Sequence, residues 1–217
     1  MEIIDFRPLH LRALELTTSL VEQVGPEDAA RPTPCPPWDL SALLSHMIGQ
    51  NYGFAAAVSS DTDSVSDAPL TAFAPRTPGQ RPARDWSTSA QVLADAFAGC
   101  DLERPVLLAE ISTEQRFPAW MAIGFQLLDT VVHGWDVATA LELAYRPDEE
   151  LVATTLGLAQ LVPAGPAREQ PGAAFAPALP LDEGADGAEG AEGAGAWFRA
   201  LALLGRDPKA AAATRLG

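Results

Sequence analysis

Apolar residues recur at helical spacing through five stretches of the chain, and turn-forming residues separate them. In DFRPLHLRALELTTSLVEQV, residues 5–24, the positions Leu9, Ala13, Leu16, Leu20 and Val24 share one face. That spacing predicts a helix with Asp5 as its cap and Gly25-Pro26 as its stop. After the proline-rich RPTPCPPW, residues 39–60 (DLSALLSHMIGQNYGFAAAVSS) read as a second helix, with Asp39 as the N-cap. Residues 61–84 are polar and Pro-rich, which predicts a loop. DWSTSAQVLADAFAG, 85–99, is a third helix capped by Asp85 or Ser87. Residues 101–117 carry no clean period and are expected to be extended or irregular.

A fourth helix starts near Pro118, a residue tolerated in a first turn, and runs to about Leu143. A fifth, PDEELVATTLGLAQLV (147–162), has acidic residues in its first turn, as the helix dipole prefers. The composition shifts near 163. DEGADGAEGAEGAGA, 182–196, is acidic and of low complexity, and is expected to be a solvated loop. WFRALALLG follows as a short amphipathic helix. The pattern predicts an all-α fold: a helical bundle over 1–162 and a C-terminal extension, 163–217, that packs back on it.

At 217 residues, with 47% hydrophobic and 20% charged, the chain can bury a core without staples. Its formal net charge of −15, with Lys209 the only lysine, argues against nucleic-acid and anionic-membrane partners. MEIIDFRPLH has neither the basic nor the apolar region of a signal peptide, and no apolar run reaches membrane-spanning length. Two cysteines, Cys35 and Cys100, make no disulfide framework, and both are expected to be inert. Cys35, among prolines and a Trp, is expected to be buried and structural, since no cation is near to activate it. A cytoplasmic protein is the expectation.

The fourth helix holds the candidate chemistry. In FQLLDTVVHGWDVATAL (125–141) an apolar helix carries Asp129 and, four residues on, His133. At ~100° per residue, Gln126, His133 and Asp136 fall with Asp129 in a stripe ~80° wide. Trp135 lies well off this stripe and reads as core. An isolated buried carboxylate is costly, so such groups are paired or given to a metal. Residues at i and i+4 lie ~5–6 Å apart at Cβ, so Asp129 and His133 either form a buried ion pair or grip one ion together.

A catalytic metal takes three protein ligands and keeps a position open. Of the two other histidines, His10 sits near the start of the first helix beside Arg12 and is expected to face solvent. His46, in the middle of the second helix, is the better third ligand. Gly49 and Gly53 share its face, and each helical glycine costs ~1 kcal/mol, so each needs a reason. The reason is either room for a substrate beside His46 or close approach of another element. Gln126 is a candidate for substrate contact. Asp136 either orients a ligating imidazole or pairs with an arginine elsewhere, the second being the favoured expectation.

The chain also resembles the DinB-like superfamily of metal-binding bundles, and within it the branch of the N-terminal domain of mycothiol-dependent maleylpyruvate isomerase. TPCPPWDLSALLSHMIG (33–49), VVHGWDVATAL (131–141), FAPALPL (175–181) and LLGRDP (203–208) carry the likeness, in order along the chain. The resemblance implies an up-down-down-up four-helix bundle. It also implies a divalent metal, usually zinc, on His46, Asp129 and His133. Asp129 stands where the isomerase has Glu. The resemblance further implies a low-molecular-weight thiol such as mycothiol as co-substrate, although no thiol-binding residue is matched.

Two His and one carboxylate suit Zn²⁺, and equally Fe²⁺ or Ni²⁺. The expected function is a metal-dependent enzyme acting on a small molecule, in thiol-transferase or isomerase chemistry. The alternative is a non-catalytic bundle that binds a metal or small ligand as a sensor, carrier or resistance protein. Bundles of this kind also make a homodimer a reasonable expectation.

Overall fold

The computed structural model describes residues 3–59, 66–68, 70–170, 173–180 and 192–208. They form six helices and one small sheet, divided into two compact units, 1–141 and 142–217. Among the described residues no helix is long and apolar enough to cross a membrane.

The first unit is a bundle of α1 (Arg7–Val21), α2 (Leu40–Val58), α3 (Pro82–Gly99) and α4 (Ala119–Ala140). Helix α1 packs on α3 and α4, and α2 packs on the same two, so the ring runs α1-α3-α2-α4. The all-α, DinB-like fold class is the one expected. Leu14, Val21, Leu43, Met47, Trp86, Leu93, Ile123, Leu127 and Val131 fill the centre. Polar side chains tie the helices across it: Trp86 Nε1 donates to Thr18 Oγ1 at 2.9 Å, and Asn51 Nδ2 to Ser89 Oγ at 2.9 Å.

Helix ends follow local chemistry. Asp39 caps α2, its Oδ1 accepting from Ala42 N at 2.8 Å. Asp5 stands one residue before the N-cap of α1, yet its Oδ1 accepts from Arg7 N, the first N–H of the helix, at 3.1 Å. Its carboxylate pairs with the Arg7 guanidinium at 2.7 Å, and Phe6 takes the N-cap position. Helix α3 begins three residues before the expected Asp85, with Pro82 in its first turn, and Asp85 instead accepts from Gly79 N at 2.7 Å.

Two segments read as loop or irregular contain a sheet. Strands β1 (Ser66–Ala68) and β2 (Pro105–Leu108) pair in parallel, and β2 pairs antiparallel with β3 (Arg116–Pro118), Val106 opposite Phe117. Val106, Leu108 and Phe117 are buried. The turn between β2 and β3 carries Ala109 and Glu110.

The second unit contains α5 (Glu149–Leu161) and α6 (Glu192–Leu203), which pack on each other. Asp148 caps α5 through Leu151 N at 2.9 Å. The buried Arg168 guanidinium donates to the carbonyls of Val162, Pro163 and Leu203 at 2.6–2.9 Å, near the C-terminal ends of both helices. Gly205, at φ +74°, ends α6 in the left-handed region against Ala176 and Pro177, where a Cβ would collide. Leu179 N also donates to Ala202 O at 2.9 Å, so the FAPALPL and LLGRDP stretches lie against each other. Of the acidic stretch 182–196, residues 192–196 are helical and belong to α6, and the rest falls outside the described residues.

Candidate metal centre

Helix α4 places Asp129 and His133 one turn apart, and α2 brings His46 against them. His133 Nε2 lies 3.3 Å from Asp129 Oδ1, and His46 Nε2 lies 3.8 Å from the same oxygen. The ligand-capable atoms of the three residues all lie within 4.8 Å of one another. No fourth His, Cys, Asp or Glu among the described residues joins this group.

The centre is graded from core to solvent. The His133 side chain is 3% exposed, while His46 and Asp129 are 19% and 21% exposed. Behind His133, its Nδ1 lies 2.9 Å from Asp136 Oδ2 on a fully buried side chain. A carboxylate only accepts, so Nδ1 carries the hydrogen and the lone pair of a neutral His133 falls on Nε2, facing Asp129 and His46. Asp136 thus lies against the candidate imidazole, the arrangement that the sequence left as the less favoured of two.

Electrostatics follow the geometry. Burial by itself would lower His133, but the charge of Asp129 and hydrogen bonds to Asp129 and Asp136 raise it to about 9. Burial by itself would raise Asp129, yet His133 and His46 hold it well below the usual carboxylate range. Without an ion, the site is an imidazolium held between two carboxylates.

The donor set fits a divalent cation: two imidazole nitrogens and one carboxylate oxygen, converging from two helices, with a hydrogen-bonded carboxylate behind one imidazole. Cys35, His133 and Asp136 also lie close together. That second group is a poorer cradle, because the near edge of His133 is already occupied by Asp136.

The TPCPPW stretch shapes the entrance. Thr33 Oγ1 donates to Trp38 O at 2.8 Å, and Cys35 N donates to Thr33 Oγ1 at 3.2 Å. This folded loop sets the Trp38 ring 4.6 Å from His46 and 6.0 Å from His133. Cys35 is half-buried here, not buried as expected. Beside His46 opens a cavity of about 350 Å³ lined by Trp38, Asp39, Ser41, Ser45 and Thr77 among others.

The expected substrate contacts are not in that cavity. Gly49 and Gly53 make room for the chain itself: a Cβ on Gly49 would strike the carbonyls of Phe73 and Ala74, and one on Gly53 would strike the Phe73 ring. Close approach of the segment after α2, not substrate, explains both glycines. Gln126 is buried, and its Nε2 donates to Asn51 Oδ1 at 3.2 Å, continuing the Asn51–Ser89 ladder into the bundle. His10 is also corrected: it is 2% exposed, edge-on to Phe97 at 4.9 Å, and takes no part in the site.

One residue was missed. Glu110 accepts from Gln50 Nε2 at 2.6 Å, and Gln50 lies one turn beyond His46 on α2. The charges of His46 and Asp129 both act on Glu110. Its stretch has no helical period, and its partner lies 60 residues away, so no local pattern marks it.

Comparison with known proteins adds to this geometry. Residues 10–138 match the family described as the mycothiol maleylpyruvate isomerase N-terminal domain. Two curated relatives, both described as uncharacterized proteins, come from Mycobacterium tuberculosis, strains CDC 1551 / Oshkosh and ATCC 25618 / H37Rv. Each is 27% identical to the chain over 176 residues, covering 79% of the chain and 86% of the relative. No solved structure matches.

Proposed function

The chain belongs to the mycothiol maleylpyruvate isomerase N-terminal domain family, and from that membership we propose that it is a metal-dependent enzyme acting on a small molecule in thiol-transfer or isomerisation chemistry. One observation carries the reading. His46, Asp129 and His133 converge within 4.8 Å beside a cavity, and no fourth ligand among the described residues closes the group. Structural sites are closed by four protein ligands, whereas catalytic sites keep a position for substrate.

In this reading His46, Asp129 and His133 hold the ion, zinc first and Fe²⁺ or Ni²⁺ by the same donors. The ion supplies Lewis acidity, enough to draw the proton from a coordinated thiol such as mycothiol or to polarise a carbonyl. The remaining work belongs to the chain. Asp136 fixes the His133 ring, so Nε2 is presented in one orientation. Trp38 roofs both imidazoles and narrows the access of water. The cavity admits a small molecule from the side of His46, the one residue of the ligand group that lines it.

The test is elemental analysis of protein purified without added metal, beside a His133→Ala variant whose fold is checked by circular dichroism. About one metal per chain, lost in the folded variant, supports the reading and identifies the ion; a thiol-dependent turnover assay on the loaded protein then follows. Protein that stays metal-free after soaking in zinc overturns it.

A further inference from the structure

The rings around the centre carry an inference about how its ligands are held, which rests on the metal-centred reading above. We propose that Trp38 is a positioning residue for the ion: its indole ring, and not a hydrogen bond, keeps the His46 imidazole turned with Nε2 towards Asp129.

The two imidazoles are held in different ways. The His133 side chain is 3% exposed, and Asp136 Oδ2 stands 2.9 Å from its Nδ1, so the ring is fixed at its far edge. His46 has no such anchor. Its side chain is 19% exposed, and its Nε2 stands 3.8 Å from Asp129 Oδ1, too far for a hydrogen bond to pin the ring. Among the described residues no group bonds its Nδ1. The outer torsion of a histidine side chain is broad, with no sharp preference of its own. Left to itself, the His46 ring would turn about that bond and carry Nε2 away from Asp129.

Trp38 supplies the constraint through its plane. Its ring centroid lies 4.6 Å from that of His46, with 34° between the two planes. That is at the close end of the ~4.5–7 Å range in which aromatic rings attract. On another side the His46 ring stands edge-on to His133, 5.1 Å away at 78°. The imidazole is thus bounded by two rings, and a turn about its outer torsion would drive it into one of them. Trp38 is itself held firmly. Its N donates to Cys35 O at 3.0 Å, and its O accepts from Thr33 Oγ1 at 2.8 Å. The next residue, Asp39, caps α2 through Ala42 N. The TPCPPW loop and the start of the helix that carries His46 therefore move as one piece, and the loop lays its ring against the helix's own histidine.

The experiment measures zinc affinity of the whole chain by competition against a chromophoric chelator, with the fold of each variant checked by circular dichroism. Trp38→Phe keeps a flat ring, whereas Trp38→Leu keeps an apolar side chain without one; Trp38→Met replaces Trp38→Leu if the latter does not fold. The expected result is that Trp38→Phe stays within about threefold of the wild type while Trp38→Leu falls about tenfold, the scale of losing an outer partner of a ligating histidine. In a His46→Ala background, Trp38→Leu is expected to cost nothing further, because the ring that Trp38 holds is gone. Equal affinities of Trp38→Phe and Trp38→Leu overturn the inference while leaving the metal centre standing. So does a Trp38→Leu loss that persists without His46. A wild-type chain that takes up no zinc overturns the proposed function and this inference with it.

Discussion

His133 Nδ1 and Asp136 Oδ2 lie 2.9 Å apart on the same turn of α4, in a part of the bundle where the Asp136 side chain has no exposed surface. This contact decides which edge of the imidazole faces Asp129 and His46. Asp136→Asn keeps the shape and removes the charge that makes His133 a good donor. Metal affinity is expected to fall roughly 10–100-fold with the fold intact, read by competition against a chromophoric chelator. An unchanged affinity would mean that His133 is not a ligand or needs no orienting.

Proton uptake gives an independent check. With no ion bound, His133 is raised to about 9, so near pH 7 the free protein holds a proton there. A ligating imidazole must be neutral, so each ion bound displaces about one proton. Acid therefore competes with the metal, and zinc affinity is expected to rise about tenfold per pH unit up to pH ~9. Calorimetry in buffers of different ionisation heat counts the proton; a count near zero removes His133 from the ligand set.

His10 makes the opposite kind of statement, about stability. Burial lowers it from 6.5 to about 3, so the folded chain holds it neutral while the unfolded chain protonates it. The unfolded state then binds more protons between those values. Stability is complete above 6.5 and is lost as pH falls towards about 3. At about pH 4.5 the loss from this group is on the order of 2–3 kcal/mol. Denaturant midpoints of the wild type and His10→Leu, taken near pH 7 and pH 4.5, should show a shallower acid loss in the variant. Parallel losses would place His10 outside the core.

Two glycines to alanine should act with opposite signs. At Gly53 the Phe73 ring already stands where a Cβ would go, so Gly53→Ala forces a shift costing about 1–3 kcal/mol, more than the ~1 kcal/mol gained in helix propensity. At Gly157, in α5, an added Cβ meets nothing within 4 Å, so Gly157→Ala is expected to stabilise by up to about 1 kcal/mol. Thermal unfolding of the pair reads both signs, and a stabilised Gly53→Ala would contradict the Phe73 packing.

The sequence shows what local spacing encodes. The four-residue step from Asp129 to His133, the Asp39 cap and the helical periods are all written in neighbouring residues, and the all-α class follows from them. Contacts that depend on a distant element are not legible in this way. His10 looked exposed because nothing near it in the chain announces Phe97 across the bundle. Gly49 and Gly53 signalled close approach or empty space, and only the placement of Phe73 distinguishes the two. Asp136 stands at a spacing that suits an imidazole partner as well as a distant arginine. Glu110 lies in a turn between two short strands whose pairing no periodicity foretells.

Helix α2 has a consequence for how this protein can change over evolution. Its eight residues from His46 to Gly53 are all committed. His46 faces Asp129, Met47 and Ile48 are core, Gly49 and Gly53 admit the 73–74 segment, Gln50 grips Glu110, Asn51 links α3 to α4, and Tyr52 lies under Arg76. No direction around the helix is free to drift. Changes in what the cavity admits are therefore expected on the loops that frame it, around Trp38 and Pro75–Thr77, rather than on this stretch of α2.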